Sequence, residues 1–187
     1  MVKLKTIDDF LKWETFLSDS MQAELRKIPC PGRIGATEAP QDLNGITLGQ
    51  LTSIQSASDS AAFFEAIGDA LLHFSKRQTH KAPARPMMGL ANMVLRELER
   101  IKELFESIHQ EPTALEIQAG SERLNFGIFG LADWYAKRMG MTDQDEAFNT
   151  GWVRIWQCLK NDTTEMQYRK RLAELQTAAI NAKYKTR

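Results

Sequence analysis

The chain contains little cysteine and no long apolar run. Its 187 residues include two cysteines, Cys30 and Cys158, without CxxC spacing, so we predict neither a disulfide framework nor a cysteine-based zinc site. No segment approaches the roughly 20 consecutive apolar residues of a transmembrane helix. The charged N-terminal stretch MVKLKTIDDFLKW also lacks the apolar centre of a signal peptide. These absences predict a cytoplasmic protein with reduced thiols.

The chain also lacks an excess of charge of either sign. Its 24 Lys and Arg residues balance 24 Asp and Glu residues, so no global field attracts nucleic acid or anionic lipid, although local basic patches still could. Hydrophobic residues make up 43% of the chain and charged residues 26%, which is typical of a globular protein. We therefore expect one domain, residues 1–187, with a core large enough to fold without disulfides or metals.

Sequence motifs of enzymes and metalloproteins are missing or incomplete. There is no GxSxG nucleophile elbow and no phosphate-binding loop of the GxxxxGK[ST] or GxGxxG type. Glu106 and His109 form a single Glu-x-x-His pair, whereas di-iron bundles use two, so we interpret this pair as solvated. His73 and His80 have no further His or Cys in ligand register. We predict no enzymatic activity, catalytic residue, metal site or cofactor.

What the sequence does contain is helical periodicity. Apolar residues recur every three or four positions from Met87 to Ile108, with charged residues on the other side. Thr6 and Asp9 predict a capping box that starts a first helix, whose apolar spacing runs to Leu25 and which cannot pass Pro29. No segment alternates at period two for long enough to predict a strand. These patterns predict an all-α fold, a compact bundle of about six or seven helices.

Two stretches interrupt the helical pattern. Residues 29–45 hold three prolines and three glycines, which predicts an irregular arm that either wraps the domain or reaches a partner. Residues 76–85 carry several basic residues and no acidic one, which predicts an exposed basic loop.

Two groups of basic residues provide the alternative function, association with nucleic acid through phosphate contacts. Both groups resemble ordinary solvated surface as much as a binding footprint, and the neutral net charge makes nucleic acid the less favoured partner. The first group comes from the predicted loop and the second from the C-terminal region: Lys76, Arg77, Lys81 and Arg85, and Arg169, Lys170 and Arg171.

The C-terminal third begins with a stretch, Glu122–Lys160, that holds three of the four tryptophans. We predict two helices in it, the first capped by Ser121 and ended by Gly140, the second capped by Thr142 with Asp145. A last helix is predicted to follow, with a capping box of Asp162 and Glu165. Its apolar stripe is expected to face inward through Tyr168, Leu172, Leu175 and Ala179.

Aromatic residues in this stretch are more numerous than a small helical core needs. Trp152 and Trp156 lie four positions apart on either side of Arg154, so we expect one ring to face the core and the other to lie at its rim. Core packing is the first interpretation of the surplus. Because Trp and Arg are enriched among the residues that anchor protein interfaces, the alternative is a partner-binding surface formed by Trp134, Trp152, Arg154 and Trp156.

Two segments, GITLGQLTSIQSASD (Gly45–Asp59) and Glu122–Leu172, carry a family resemblance. The second contains a Phe-Gly helix, an LA...G.T..E break, an aromatic helix and a final Y.KRL helix. Together they resemble small helical proteins encoded in the morphogenesis clusters of tailed phages and prophages. The resemblance implies a non-enzymatic tail assembly chaperone or head-to-tail morphogenesis factor in the host cytoplasm or the virion. The expected partners are other phage structural or tail proteins, and a homo-oligomer is one option. We expect no association with a membrane.

Overall fold

The computed structural model describes residues 4–124 and 126–185. Within these ranges the chain forms ten α-helices, two short 3₁₀ helices and one two-stranded hairpin, which confirms the predicted all-α fold. Helices outnumber the expected six or seven because six of the ten are eight residues or shorter. They are α1 (Ile7–Trp13), α2 (Asp19–Arg26), α3 (Leu48–Gln55), α4 (Ser60–Leu72), α5 (Lys76–Lys81), α6 (Ala84–Glu106), α7 (Ala114–Gln118), α8 (Gly127–Met139), α9 (Gln144–Phe148) and α10 (Trp152–Lys185).

Helix α6 is the centre of the fold, as its apolar stripe predicts. Met87, Leu90, Val94 and Ile101 are at most 1% exposed. Helices α1, α2 and α4 all pack against α6. Full burial of a side chain of this size contributes roughly 1.5–3 kcal/mol, so this stripe is a main source of the stability of the fold.

The Pro/Gly-rich arm, residues 29–45, wraps the domain. Its antiparallel strands β1 (Arg33–Ile34) and β2 (Thr37–Glu38) are joined by a turn in which Gly35 has φ 62°, a left-handed conformation that favours glycine. Ile34 is 1% exposed and Leu43 is fully buried. Of the two roles expected for this segment, wrapping the domain is the one that the structure confirms.

The predicted first helix is divided into α1 and α2, which corrects its extent. The capping box of Thr6 and Asp9 begins α1 as predicted. The helical conformation then ends at Leu17, and Ser18 caps α2 by accepting a hydrogen bond from the Met21 amide. A serine side chain that bonds a nearby amide competes with helix continuation, and this competition produces the break.

The prediction that residues 76–85 form a loop is wrong, because most of these residues are helical. Ser75 and Gln78 form a capping box that begins α5. Thr79 of this helix is fully buried and packs on Gly68 of α4, where an added Cβ would lie 2.2 Å from the Thr79 hydroxyl oxygen. The cap and this close packing hold the segment against the domain as a helix.

The predicted pair of aromatic helices is correct at Gly140, where the first helix ends, and wrong at the start of each helix. Gly140 ends α8 with φ 68°, as expected for a left-handed glycine after a helix. Ser121 does not cap α8, because it begins a separate 3₁₀ helix, Ser121–Leu124. After the break, Asp143 rather than Thr142 caps the short helix α9, and the aromatic helix begins only at Trp152.

Helices α3 and α10 begin side by side. Thr47 and Gly151 form an isolated antiparallel bridge, and the Leu48 amide donates a hydrogen bond to the Thr150 carbonyl at 2.8 Å. This contact joins the segments Gly45–Asp59 and Glu122–Leu172. It also directs Trp152, the first residue of α10, into the core.

The predicted last helix does not start at Asp162, because α10 is continuous from Trp152 to Lys185. Asp162 instead accepts two hydrogen bonds from the Arg138 guanidinium of α8, at 2.9 and 3.0 Å. At 1.5 Å per residue the 34 residues of α10 span about 51 Å. Residues 164–182 are exposed on every side. The expectation that Tyr168, Leu172, Leu175 and Ala179 face inward is therefore wrong.

Candidate functional site

An open groove of about 570 Å³ lies where helices α3, α6, α8 and α10 meet. Its floor belongs to the core, since Leu48, Leu51 and Ile101 are at most 2% exposed. Lys102 and Glu106 lie at its edge. Its walls are mainly apolar and include Phe105, Ile108, Ile128, Leu131, Leu159 and Met166. We call it the apolar groove; its composition suits an amphipathic helix that lays its apolar face between the walls.

A set of exposed apolar side chains flanks the groove wall at Ile128 in the chain. Leu115 is 77% exposed, Leu124 and Phe126 are each 66% exposed, and Phe129 is 56% exposed. Single exposed apolar residues are common on protein surfaces. With Ile117 at 49% and the groove residue Ile128 at 36%, six large ones lie within residues 115–129, which is typical of an interaction surface. We call Leu115, Leu124, Phe126 and Phe129 the apolar ridge.

Trp152 is a core residue, which corrects its expected role as a partner contact. Its side chain is 1% exposed, and its indole N–H donates a 2.6 Å hydrogen bond to the Leu43 carbonyl of the arm. The Phe105 ring lies 6.3 Å from the Trp152 ring, and the Arg100 guanidinium lies 5.8 Å from it. A partner has no access to this ring, because the arm and α6 cover it.

Trp156 lies at the rim, so the expected division between the two tryptophans is confirmed. It is half-buried, its indole N–H donates to the Leu104 carbonyl at 3.1 Å, and the Lys160 ammonium lies 5.1 Å from its ring. Arg154 is exposed and Trp134 is half-buried. Contact of Trp134, Arg154 and Trp156 with a partner stays a prediction.

The basic residues of the alternative function lie on different elements. Lys76 forms a 2.7 Å ion pair with Glu65, which offsets its charge. Arg77 and Lys81 are exposed and line one shallow depression of about 340 Å³, and Arg85 is exposed on the first turn of α6. The second group, Arg169, Lys170 and Arg171, projects from the exposed half of α10. Arg169 forms an ion pair with Glu165.

His80 joins three helices through its two ring nitrogens. Nδ1 lies 2.6 Å from Asp8 Oδ1 on α1, and Nε2 lies 3.0 Å from Glu65 Oε1 on α4. Hydrogen bonds to Glu65 and Asp8 raise the pKa of His80 above its ordinary 6.5. The pKa of Glu65 is lowered by Lys76 and by His80. The carboxylates of Asp8 and Glu65 lie on opposite sides of the His80 ring. The arrangement therefore suits ion pairs that link the three helices, and the three side chains do not converge on one bound ion or ligand.

Stability should depend on pH through this link. A raised histidine pKa contributes stability that is fully present below the unfolded value of 6.5 and is lost as pH rises through the folded value. The lowered Glu65 pKa contributes stability above 4.5 that is lost as pH falls. Urea unfolding of His80→Gln and the wild type should therefore differ most between pH 4.5 and 6.5 and converge at higher pH. The exposed His109→Gln variant is the control, and a difference that grows with rising pH would contradict the assignment.

The sequence indicated part of this surface and missed the rest. The aromatic surplus included Phe126 and Phe129, which are ridge residues. The groove walls at Ile108, Ile128 and Met166 carried no separate signal, because apolar residues at helical spacing indicate a buried face and not an open one.

The described residues offer little support for other kinds of site. Among them, no group of three or more His, Cys, Asp or Glu side chains is placed to hold a metal ion. None of the helices in the described ranges combines the length and apolar composition that a bilayer crossing requires. Glu106 and His109 are both exposed near the end of α6, in agreement with the solvated interpretation of that pair.

Comparison with known proteins found no protein family model, no curated protein and no solved structure that matches this chain.

Proposed function

We propose that this chain is a non-enzymatic interaction protein of a phage or prophage, a tail assembly chaperone-like or virion morphogenesis factor. It binds an apolar helical segment of another phage structural or tail protein. The observation that supports this most is the apolar groove, whose floor reaches the core and whose walls are open at the surface. The phage context rests on the resemblance of Gly45–Asp59 and Glu122–Leu172.

The mechanism is temporary burial of apolar surface. A helix from the partner places its apolar side chains between Phe105 of α6, Ile128 of α8 and Leu159 of α10, and the ridge extends the contact. Each Å² of apolar surface removed from water contributes about 25 cal/mol. Covering such a segment before assembly protects it from aggregation, and release lets it join the particle.

The partner-binding surface can be tested with the products of neighbouring genes. Leu124→Ser combined with Phe129→Ser should weaken binding of the partner by roughly tenfold or more, equivalent to about 1.4 kcal/mol, because both side chains are exposed apolar ridge residues. Fluorescence anisotropy or pull-down with labelled partner measures the effect.

A matched control removes two exposed apolar side chains far from the ridge in sequence. Phe16 is 75% exposed and Leu95 is 55% exposed, and the double variant Phe16→Ser, Leu95→Ser should bind as the wild type does. Equal loss in both double variants, or no affinity of the wild type for any neighbouring structural protein, would refute the proposal.

Nucleic-acid association is the second candidate, because Arg77 and Lys81 line a common depression. It requires affinity for DNA or RNA that falls steeply with salt, as counterions are released, and that decreases in Arg77→Ala, Lys81→Ala. Negligible binding at low salt removes this candidate.

A further inference from the structure

The exposed half of α10 carries an apolar stripe. Tyr168, Leu172, Leu175 and Ala179 are separated by four, three and four positions, the spacing of an apolar heptad seam. Tyr168 is 66% exposed, Leu172 40% and Leu175 61%. We call these four residues the distal stripe. Such a stripe is typical of a helix that packs its apolar face against another apolar surface.

The distal stripe faces away from the domain of its own chain. Within the first part of α10, Trp152 and Ile155 are buried against the domain, and Leu159 lies on the same side of the helix and lines the groove. At 3.6 residues per turn, Tyr168 and Leu172 lie on roughly the opposite side of the same helix. Because α10 is continuous, the domain from which it projects does not cover the stripe.

The apolar groove and the distal stripe lie in segments of opposite net charge. Residues 99–116, which include Lys102 and Glu106 at the groove edge, hold five acidic residues against two Lys or Arg. Residues 165–185, which carry the distal stripe, hold two acidic residues against five Lys or Arg. The two segments therefore have opposite net charge of equal size, and their long-range attraction favours contact between them.

We propose that two copies of this chain associate by reciprocal exchange, in which the distal stripe of each copy lies in the apolar groove of the other. One twofold-symmetric contact then covers two grooves and two stripes, as closed dimers require. Arg169 and Arg171 of each helix then lie near α6 of the other copy, where Glu106 lines the groove edge beside Lys102 and Glu103 is exposed. This deepens the proposed function, because the second copy covers the groove until an assembly partner displaces it.

Reciprocal exchange between two copies suits these observations better than direct pairing of their two distal stripes. Stripe-to-stripe pairing leaves both grooves open and places Arg169 and Arg171 of both copies along one seam. Reciprocal exchange instead covers every one of these apolar surfaces and places unlike charges together.

Self-association of the purified full chain tests the inference without any phage partner. Sedimentation velocity and light scattering should give the mass of a dimer, which dissociates more readily at high salt because part of the attraction is between exposed charges. Leu172→Glu with Leu175→Glu should shift the protein to a monomer, and so should Ile128→Glu in the groove wall. Ala173→Glu with Thr177→Glu is the matched control, since it adds the same charge to the other side of the same exposed helix and should leave the dimer intact.

Mixing the two defective variants separates reciprocal exchange from other contacts. The stripe variant and the groove variant together retain one intact stripe–groove contact, so the mixture should form a dimer that neither variant forms alone. A wild type that stays monomeric at all concentrations overturns the inference, and so does an Ile128→Glu variant that is helical by circular dichroism and dimerises normally. Partner binding by a monomeric wild type would leave the proposed function standing, so the two failures are distinguishable.

Discussion

Gly89→Ala is expected to lower the free energy of unfolding by about 1–3 kcal/mol, the usual cost of overpacking a core. An added Cβ would lie 2.1 Å from the carbonyl oxygen of Pro29 and 3.0 Å from its carbonyl carbon. Because the obstructing atoms belong to the backbone, no rotation of a side chain relieves the contact. The start of the arm or helix α6 must move.

The position of the arm makes this clash difficult to relieve. Asn92, one turn further along α6, donates hydrogen bonds to the carbonyls of Leu25 at 2.8 Å and Ile28 at 3.0 Å. Movement of Pro29 away from α6 strains these bonds, which hold a 7% exposed amide. We expect the displaced arm to expose Cys30, whose Sγ lies 3.5 Å from the Pro40 carbonyl oxygen.

Two measurements check this result. Urea unfolding gives the change in free energy, and the rate of thiol labelling in a Cys158→Ser background reports the exposure of Cys30. Burial raises the pKa of Cys30 in the wild type, against a smaller lowering effect of Arg96, so labelling should accelerate in Gly89→Ala. The control is Gly45→Ala, because no atom lies within 4 Å of the added Cβ, and its effect should stay within about 0.5 kcal/mol. Equal stability of both variants would mean that the arm does not pack against Gly89.

Trp152→Ala is expected to lower the free energy of unfolding by about 3–5 kcal/mol, the range for removal of a large buried aromatic side chain. The ring is 1% exposed and connects the start of α10 to the Leu43 carbonyl and to Phe105 of α6. The substitution leaves a cavity between three elements and a buried carbonyl without its donor. A loss of this size is a large fraction of the stability of an ordinary domain.

Two further variants separate the contributions of the ring. Trp152→Phe keeps most of the apolar contact but removes the indole N–H, and leaving the Leu43 carbonyl unpaired costs about 1–3 kcal/mol. Trp156→Ala should cost less than Trp152→Ala, because the Trp156 ring is half-buried. Thermal and urea unfolding followed by circular dichroism rank the three variants. A stable, fully folded Trp152→Ala variant that loses only partner binding would contradict the core assignment.

The candidate site was predictable only in part. The spacing of Trp152 and Trp156 predicted one buried and one rim tryptophan, since residues four apart point in similar but not identical directions on a helix. Which of the two is buried depends on the Leu43 carbonyl, which belongs to an arm more than one hundred positions away in the chain. The groove itself required the tertiary structure, because it is formed by four helices that are distant in sequence.

The sequence by itself determined the all-α fold, the central stripe of α6 and the helix ends at Thr6 and Gly140. These features depend on the 3.6-residue period and on hydrogen bonds between near neighbours, which a linear pattern contains. The helix over residues 76–81 also begins with such a near-neighbour pattern, the capping box of Ser75 and Gln78, whereas only the tertiary structure decided that α10 continues through Asp162. The same holds for the exposure of the distal stripe. The physical reason is that an apolar stripe specifies which face of a helix must be covered, while the surface that covers it, or leaves it open, is supplied by distant parts of the chain.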